Sequence, residues 1–306
     1  MQRWVRMTLV LAILIGLNYP AGAQGKKKIT ALDLYLKVGA RYDANVRLEA
    51  FDVELFTNDA DVAGVVFFSG RYRFFKRKQF EASAGYSHYQ IKYRGIQDYD
   101  VVGSIGQLVT KYKWRDFTFG LNYQPSFYQV DYRRFIMYHQ IKPSVTWQVR
   151  KNLIARLNFS YTDNNNFQED QRDGSTNALN LDAYYIVSKK GHYLFGGIGH
   201  NRNDAAHNDY VWGRTHFKLG GSFNLPRKVQ LVATGRWEDK SYKNVDSFFA
   251  VKRQDTKYFL SLSASRPFFY DWLSVILDYN YTYNFSNIAD YEYDKHEVTL
   301  SLAVRY

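Results

Sequence analysis

The chain ends in two segments in which apolar and polar side chains alternate. In the first segment one set of alternate positions is apolar: Leu273, Val275, Leu277, Tyr279, Tyr281, Tyr283 and Phe285. The positions between them are polar, with Ile276 as the exception. In the second segment the apolar set is Val298, Leu300, Leu302, Val304 and Tyr306. Because successive side chains of a strand point to opposite faces, this period of two predicts a sheet with one face in an apolar medium and the other in a polar medium.

The same alternation predicts about fourteen strands in all, with twelve and sixteen as the neighbouring even counts. Short connections and generally longer, more polar ones follow each other in turn. This order is typical of an all-β, transmembrane, antiparallel up-and-down β-barrel with both termini in the periplasm. The predicted strands are Thr30–Tyr42, Asp61–Arg73, Gln79–Lys92, Asp100–Lys113, Asp116–Val130, Phe135–Val149, Leu153–Asp163, Asn177–Ser188, His192–Asn201, Tyr210–Phe223, Lys228–Glu238, Asp255–Arg266, Trp272–Phe285 and Asp294–Tyr306.

Composition supports a membrane barrel. Aromatic residues make up 18% of the chain, and 27 of them are Tyr. Tyr, Trp and Phe girdles at two membrane interfaces account for such a content. The chain has no Cys, which excludes disulfides, thiol chemistry and a lipid-modified Cys at its start.

The N-terminal residues predict export. Arg3 and Arg6 precede an apolar run over 7–17, and Ala21-Gly22-Ala23 follows it as a small-residue cleavage site. We therefore expect a signal peptide at residues 1–23 cleaved after Ala23, a short periplasmic stub at 24–29, and the barrel at 30–306. The expected location is the outer membrane of a Gram-negative cell envelope.

Two features interrupt the pattern of alternation. Pro125 and Pro143 fall inside adjacent predicted strands and predict a bulge or a local break, because Pro removes a ladder donor. The run Gly196-Gly197-Ile198-Gly199 gives no clear facing.

If the apolar faces meet lipid, the opposite faces line a lumen with an excess of cations. The candidate lumenal acids are fewer: Asp33, Glu81, Asp182, Glu238 and Asp278. A positive, water-filled lumen would favour anionic solutes. Pairing of these charges across the lumen is the open alternative. The candidate lumenal cations are Lys37, Arg41, Arg71, Lys111, Lys142, Arg156, Arg214, Lys218, Arg236 and Lys257, whereas Arg73, Lys113 and Arg150 at strand ends are expected at the rim or in turns.

Catalytic signatures are missing from the sequence. None of the seven His lies in a G-x-S-x-G or H-E-x-x-H motif. The best candidate for a metal or enzyme site is the group His200, Asp204, His207 and Asp209 around one predicted loop, although two His and two Asp are ordinary in a polar loop. We expect no enzyme activity and no cofactor.

Two segments carry a resemblance to a known family. Gly39-Ala40-Arg41-Tyr42-Asp43-Ala44-Asn45-Val46 is similar to the G-x-x-Y-D-S-N-V segment that opens the barrels of surface lipoprotein assembly modifiers and related porin-like barrels. Tyr279–Tyr306 resembles the ending of the same barrels, and Arg253-Gln254-Asp255 resembles the R-x-D start of their penultimate hairpin. The resemblance implies a fourteen-stranded barrel. Those proteins also carry a periplasmic helical-repeat domain, which we do not expect between the stub and the barrel.

The sequence thus predicts a monomeric porin-like channel for passive diffusion of small polar solutes, with anions favoured. Tyr35, Phe67, Tyr128 and Trp212 are expected to narrow the lumen. The expected partners are outer-membrane lipid, lipopolysaccharide, the solutes and the barrel assembly machinery, which would read the C-terminal strand and its last residue, Tyr306. Nucleic acid is not an expected partner. Two alternatives remain open: a barrel in a protein or lipoprotein export system with a separate periplasmic partner, and a barrel hydrolase.

Overall fold

The computed structural model describes residues 31–47, 57–188 and 191–306. These residues form fourteen antiparallel strands. The predicted signal peptide, the stub and Thr30 lie outside the described residues. The strands are β1 Leu32–Asp43, β2 Asp61–Lys76, β3 Phe80–Tyr93, β4 Val101–Trp114, β5 Phe117–Val130, β6 Arg133–Arg150, β7 Leu153–Asn166, β8 Gly174–Ile186, β9 Tyr193–Ala205, β10 Trp212–Asn224, β11 Gln230–Tyr242, β12 Gln254–Phe268, β13 Tyr270–Ser286 and β14 Tyr293–Arg305.

The sheet closes on itself. Each strand pairs with its neighbours in the chain, and β1 pairs with β14 from Tyr35↔Arg305 to Asp43↔Glu297. The amide of Leu34 donates to the carbonyl of Tyr306, and the amide of Tyr306 donates back, both at 3.0 Å. The predicted fold class, an antiparallel up-and-down barrel of fourteen strands, is confirmed.

Side chains alternate between the outside and the inside of the barrel as the sequence predicts. On β1, Leu36 and Val38 are exposed on the outer face, whereas Tyr35, the residue before Leu36, is buried inside the barrel. On β13 the exceptional Ile276 faces inward and packs in a buried apolar cluster with Ala303 of β14. The one residue that breaks the polar phase therefore belongs to an internal apolar patch.

The connections divide the barrel into a turn end and a loop end. The turn end carries the connections 77–79, 115–116, 151–152, 187–192, 225–229 and 269, together with the start of β1 and the end of β14. Six of the seven connections at the loop end have six residues or more, a length that only 187–192 reaches among the turn-end connections. The exception joins β5 to β6 through Asp131 and Tyr132 alone, with φ of 49° and 56°. The predicted strands leave residues 131–134 as this connection, and the structure shortens it to two residues, because this left-handed pair makes a tight hairpin.

A recurring turn shapes the loop end. The segments Gln97–Tyr99, Asn208–Tyr210 and Ala289–Tyr291 each form one 3₁₀ turn with Asp-Tyr as its last two residues. Asn203 donates its side-chain amide to the carbonyl of Tyr210, and Asn284 donates in the same way to Tyr291. These buried Asn side chains anchor the loops to the strands that precede them.

The two Pro residues interrupt the ladder without shifting it. β4 and β5 pair at Ile105↔Ser126 and resume at Leu108↔Tyr123 in the same register, so the pairing skips Pro125. β6 and β7 likewise pair at Ile141↔Tyr161 and resume at Ser144↔Asn158, skipping Pro143. The predicted local break is confirmed, and the alternative of a bulge at these positions is wrong.

Large exposed aromatic side chains form a band on the outer surface near each end. The band at the turn end includes Tyr72, Trp114, Trp147, Trp272 and Tyr306, and the band at the loop end includes Tyr42, Tyr132, Tyr161, Tyr258 and Phe285. Between them the outer face carries exposed aliphatic residues such as Leu121, Leu181 and Leu300. Among the described residues there is no helix with the length and apolar character to cross a membrane.

Closure of β1 on β14 depends on a close approach at Gly39. A Cβ added there would lie 2.3 Å from both the carbonyl oxygen of Leu300 and Oγ of Ser301. We predict that Gly39→Ala lowers the free energy of unfolding by about 1–3 kcal/mol, because the seam must open to accept the methyl group. Urea titration of the refolded barrel in detergent, followed by gel mobility, measures this loss.

Gly64→Ala on β2 is the matched control, since a Cβ there meets no atom within 4 Å. Equal stability of the two variants would contradict the role of Gly39 in closure.

Candidate functional site

The inside of the barrel gathers the polar, charged and aromatic side chains that could act on a solute. Aromatic rings narrow it on the side formed by β1 to β6. Tyr35 meets Phe67 with ring centroids 6.0 Å apart, and Tyr128 lies between Tyr89 at 6.0 Å and Tyr138 at 5.8 Å. The structure buries the four aromatic residues predicted to narrow the lumen, Tyr35, Phe67, Tyr128 and Trp212.

Gly103 makes this aromatic contact possible. It stands between Tyr89 and Tyr128 in the ladder, and a Cβ there would lie 2.4 Å from Cε1 of Tyr89 and 2.9 Å from Cε1 of Tyr128. The rings of Tyr89 and Tyr128 therefore approach each other over the backbone of Gly103, which has no side chain. This half of the interior is a packed patch, with Ile105 and Ile136 buried beside the rings.

Ion pairs concentrate where β1 meets β14. Two of the predicted cations pair there: Lys37 with Asp278 of β13 at 3.5 Å and Arg41 with Glu297 at 3.0 Å. Two further cations, which the sequence analysis did not select, complete the set. Lys295 binds Asp43 at 3.1 Å, and Arg305 binds Asp33 at 3.0 Å. Charges inside the barrel thus join the strands whose pairing closes it.

A second group of ion pairs lies on β8 to β11. Lys218 of β10 reaches Asp182 of β8 at 2.7 Å across the intervening Gly197 of β9, where a Cβ would lie 2.4 Å from Oδ1 of Asp182. Arg214 and Arg236 share Glu238 at 3.7 Å and 3.1 Å. The glycine run that had no clear facing therefore places Gly197 inside, where the missing side chain leaves room for the ion pair.

The remaining predicted cations have other surroundings. Arg156 donates from Nε to Oγ1 of Thr146 at 3.1 Å, and Nζ of Lys257 lies 5.7 Å from the ring of Tyr293. Within the described part of the chain, Arg71, Lys111 and Lys142 form no ion pair. Lys111 is exposed to solvent although its strand position faces inward.

The residues expected at the rim divide into two kinds. Arg73 binds Glu81 of the next strand at 3.3 Å and so belongs to the interior charge pattern. Lys113 and Arg150 are exposed near the turn-end limits of β4 and β6. The last residue, Tyr306, is 78% exposed and contributes its backbone to closure.

Asp43 is a fully buried carboxylate that sequence reasoning missed. Besides Lys295, it accepts a hydrogen bond from the hydroxyl of Tyr93 at 2.8 Å and one from the amide of Asn45 at 3.1 Å. The second bond is the turn contact expected from an Asp-x-Asn segment. The inward position of Asp43, and so its bond with Tyr93, could have been found from the alternation along β1, because Asp43 is two residues from the inward Arg41.

The His/Asp group does not assemble into one site. His200 faces outward on β9 with Nδ1 3.0 Å from Oγ1 of Thr215. Nδ1 of His207 lies 3.7 Å from a carboxylate oxygen of Asp209, which accepts bonds from the amide and hydroxyl of Ser247. The described residues contain no group of three or more His, Cys, Asp or Glu side chains placed to hold a metal ion.

Arg residues stack on Tyr rings at the loop end. The guanidinium of Arg253 lies 3.4 Å from the ring centroid of Tyr291, and that of Arg172 lies 4.0 Å from Tyr210. Arg253 also binds Asp255 at 2.8 Å, which explains the Arg253-Gln254-Asp255 motif as a brace at the start of β12. Such stacks stabilise the loops through the ring quadrupole.

Comparison with protein families identifies the chain. The family described as surface lipoprotein assembly modifier matches residues 64–306. The chain belongs to the surface lipoprotein assembly modifier family. The match includes the Tyr279–Tyr306 and Arg253–Asp255 motifs of this family member, whereas its Gly39–Val46 motif precedes the matched residues. No curated protein matches this family member.

Solved outer-membrane barrels share its fold. The in vitro folded, trimeric form of OmpT, an outer membrane protein of Vibrio cholerae, is 7% identical with a TM-score of 0.53 over 90% of this chain and 99% of its own. An anion-selective porin from Comamonas acidovorans is 8% identical with a TM-score of 0.51 over 90% and 98%. A bacterial polysaccharide outer membrane secretin is 9% identical with a TM-score of 0.51 over 89% and 98%. At such identities the likeness establishes the fold.

The interior ion pair of Lys218 and Asp182 can be broken by removing one partner. We predict that Asp182→Ala lowers the free energy of unfolding by about 3 kcal/mol, because it leaves an inward ammonium without its partner. Urea titration in detergent measures the change. Asp271→Ala breaks the exposed pair with Lys228, whose side chains are 49% and 57% exposed, and is expected to cost less than about 1 kcal/mol. A cost as small for Asp182→Ala would show that the pair is dispensable.

Proposed function

We propose that this protein is an outer-membrane, porin-like channel for passive diffusion of small polar solutes. The observation that carries the proposal is the partial solvation of the inner wall at mid-strand. Gln124, Gln140, Lys142 and Arg236 face inward there and are half-buried rather than fully buried. A polar lumen reached by water offers a solute hydrogen bonds in exchange for its hydration, which passive diffusion requires.

The outer surface supports the membrane placement. Two aromatic bands with aliphatic residues between them are the pattern expected where a barrel meets two lipid interfaces. The proposed orientation puts the turn end and both termini in the periplasm and the loop end outside. The C-terminal strand and Tyr306 would be read by the barrel assembly machinery, and the barrel would act as a monomer.

The aromatic patch limits the size of what could pass. Because Tyr35, Phe67, Tyr89 and Tyr128 fill part of the interior, the open section is smaller than the circle of fourteen strands would allow. The proposed cargo is therefore small solutes rather than folded proteins. A change in the cross-section of the lumen at this patch would change the single-channel conductance.

Removing one ring of the patch tests the channel. The chain without residues 1–23, refolded and inserted into planar bilayers, is expected to give discrete conductance steps. Tyr128→Ala should increase the conductance of each step, because it removes a ring from the narrow section. Tyr161→Ala, which removes an exposed outward ring, should leave the conductance unchanged. If none of the three proteins gives conductance steps in any salt solution tested, the open channel is refuted.

Family membership favours a second candidate function. As a member of the surface lipoprotein assembly modifiers, the barrel would serve as the outer-membrane part of a lipoprotein export or assembly system with a periplasmic partner. The Arg–Tyr stacks and Asn anchors give the loop end a defined surface for such a role.

Deletion of the gene separates the two functions. Under the second, lipoproteins of the host cell lose exposure to added protease while their total amount stays the same, and the wild-type gene restores exposure. Under the first, lipoprotein exposure is unchanged and uptake of small polar solutes falls.

A further inference from the structure

The inner wall compensates its charges unevenly. On β1 and β8 to β14, carboxylates accompany the cations and bind them. These carboxylates are Asp33, Asp43, Asp182, Glu238, Asp255, Asp278 and Glu297. Arg214 and Arg236 share Glu238 in that part of the wall, and Lys257 lies beside the ring of Tyr293. Each of these seven carboxylates nevertheless holds at least one cation in an ion pair.

The opposite part of the wall, β2 to β7, carries cations in excess. Arg71, Lys111, Lys142 and Arg156 lie on β2, β4, β6 and β7, at inward positions. Carboxylates next to these cations in the ladder already bind other cations. Asp33 beside Arg71 binds Arg305, and Glu81 beside Lys111 binds Arg73 at 3.3 Å. Asp182 beside Arg156 binds Lys218. In the described ranges, Arg71, Lys111 and Lys142 lack any ion pair. We call these four cations the basic wall.

Members of the basic wall carry like charge on nearby strands. Arg71 on β2 and Lys111 on β4 lie on the two sides of β3, and Lys142 on β6 belongs to the strand that pairs with the β7 strand of Arg156. Like charges held together against a low-dielectric wall raise the free energy of the site, and an anion placed among them lowers it.

Uncharged polar side chains border the cations of the basic wall. Arg71 has Gly85 beside it in the ladder, and Lys111 has Gly120 beside it. A Cβ at Gly85 would lie 3.6 Å from Oε1 of Gln107, and one at Gly120 would lie 2.7 Å from Oγ of Ser144, so these two polar groups reach the surface beside the cations. Ser144 follows Gly120 in the same row, and Asn122 pairs with Lys142, which adds a hydroxyl and an amide to the surface. The exposure of Lys111 shows that water reaches it.

We propose that the basic wall binds a small solute with two or more anionic, oxygen-bearing groups, such as a diphosphate or a dicarboxylate. The cations come from four separate strands, so one monovalent ion would contact few of them, whereas a multivalent ion bridges several. The inference rests on the proposed channel and names the class of solute that its lumen selects. Oxyanions would dwell on β2 to β7 while the ion-paired wall holds the barrel shape.

Calorimetric titration with pyrophosphate tests the site without requiring conduction. The refolded chain without residues 1–23 is expected to bind pyrophosphate in dilute buffer. The triple variant Arg71→Gln, Lys111→Gln and Lys142→Gln should weaken binding roughly a hundredfold or more, and Lys111→Gln alone roughly tenfold, as expected when charge-assisted hydrogen bonds are lost. Lys151→Gln, an exposed residue of the β6–β7 turn, is the matched control and should bind as the wild type does.

Three outcomes overturn the proposal: no binding by the wild type, equal affinity in the Lys111→Gln and Lys151→Gln proteins, or displacement of pyrophosphate by an equal concentration of chloride. The single variant covers the case in which the triple variant does not fold. Malonate displacing pyrophosphate indicates a site for both oxyanion types, and its failure narrows the ligand to phosphates. Binding without conductance would refute the open channel and keep the site.

Discussion

The hydrogen-bonded seam between β1 and β14 is the contact on which the rest of the structure depends. A sheet with an outer face for lipid cannot leave an edge of unpaired amides and carbonyls, and closure removes that edge. Here the seam combines a continuous antiparallel pairing, a close approach at Gly39 and the charges of Arg41, Lys295 and Arg305 on the inside. Every other strand then completes its backbone hydrogen bonds by pairing with the strands before and after it in the chain.

Closure also decides what the polar faces do. Side chains that would face solvent on an open sheet are brought together around a narrow space, where their charges must be paired or find a ligand. The ion pairs on β8 to β14 and β1 are one result, and the basic wall on β2 to β7 is the other. The chain belongs to the surface lipoprotein assembly modifier family, and we propose solute passage or lipoprotein assembly as the role of a barrel with this division of charge.

Much of the fold could be predicted because the period of two is a local property of each strand. The strand number, the inward facing of Tyr35 and Lys37 and the ladder breaks at Pro125 and Pro143 all follow from residues close in sequence. The two-residue hairpin at Asp131 and Tyr132 could not be predicted, since neither residue is a glycine or an asparagine that announces a left-handed turn. The 3₁₀ turns that end in Asp-Tyr were not predicted, because the three turns are far apart in the chain and lack the alternation of apolar and polar residues that marks the strands.

The sequence by itself determined the barrel, its even strand number and the set of charges that face inward, because alternation assigns each side chain to a face. Only the tertiary structure decided which of those charges neutralise each other. Asp182 meets Lys218 across a glycine of the strand between them, and Lys295 meets Asp43 across the closing seam. Such partners are more than 30 residues apart, so their pairing depends on register, tilt and closure, which are properties of the whole sheet.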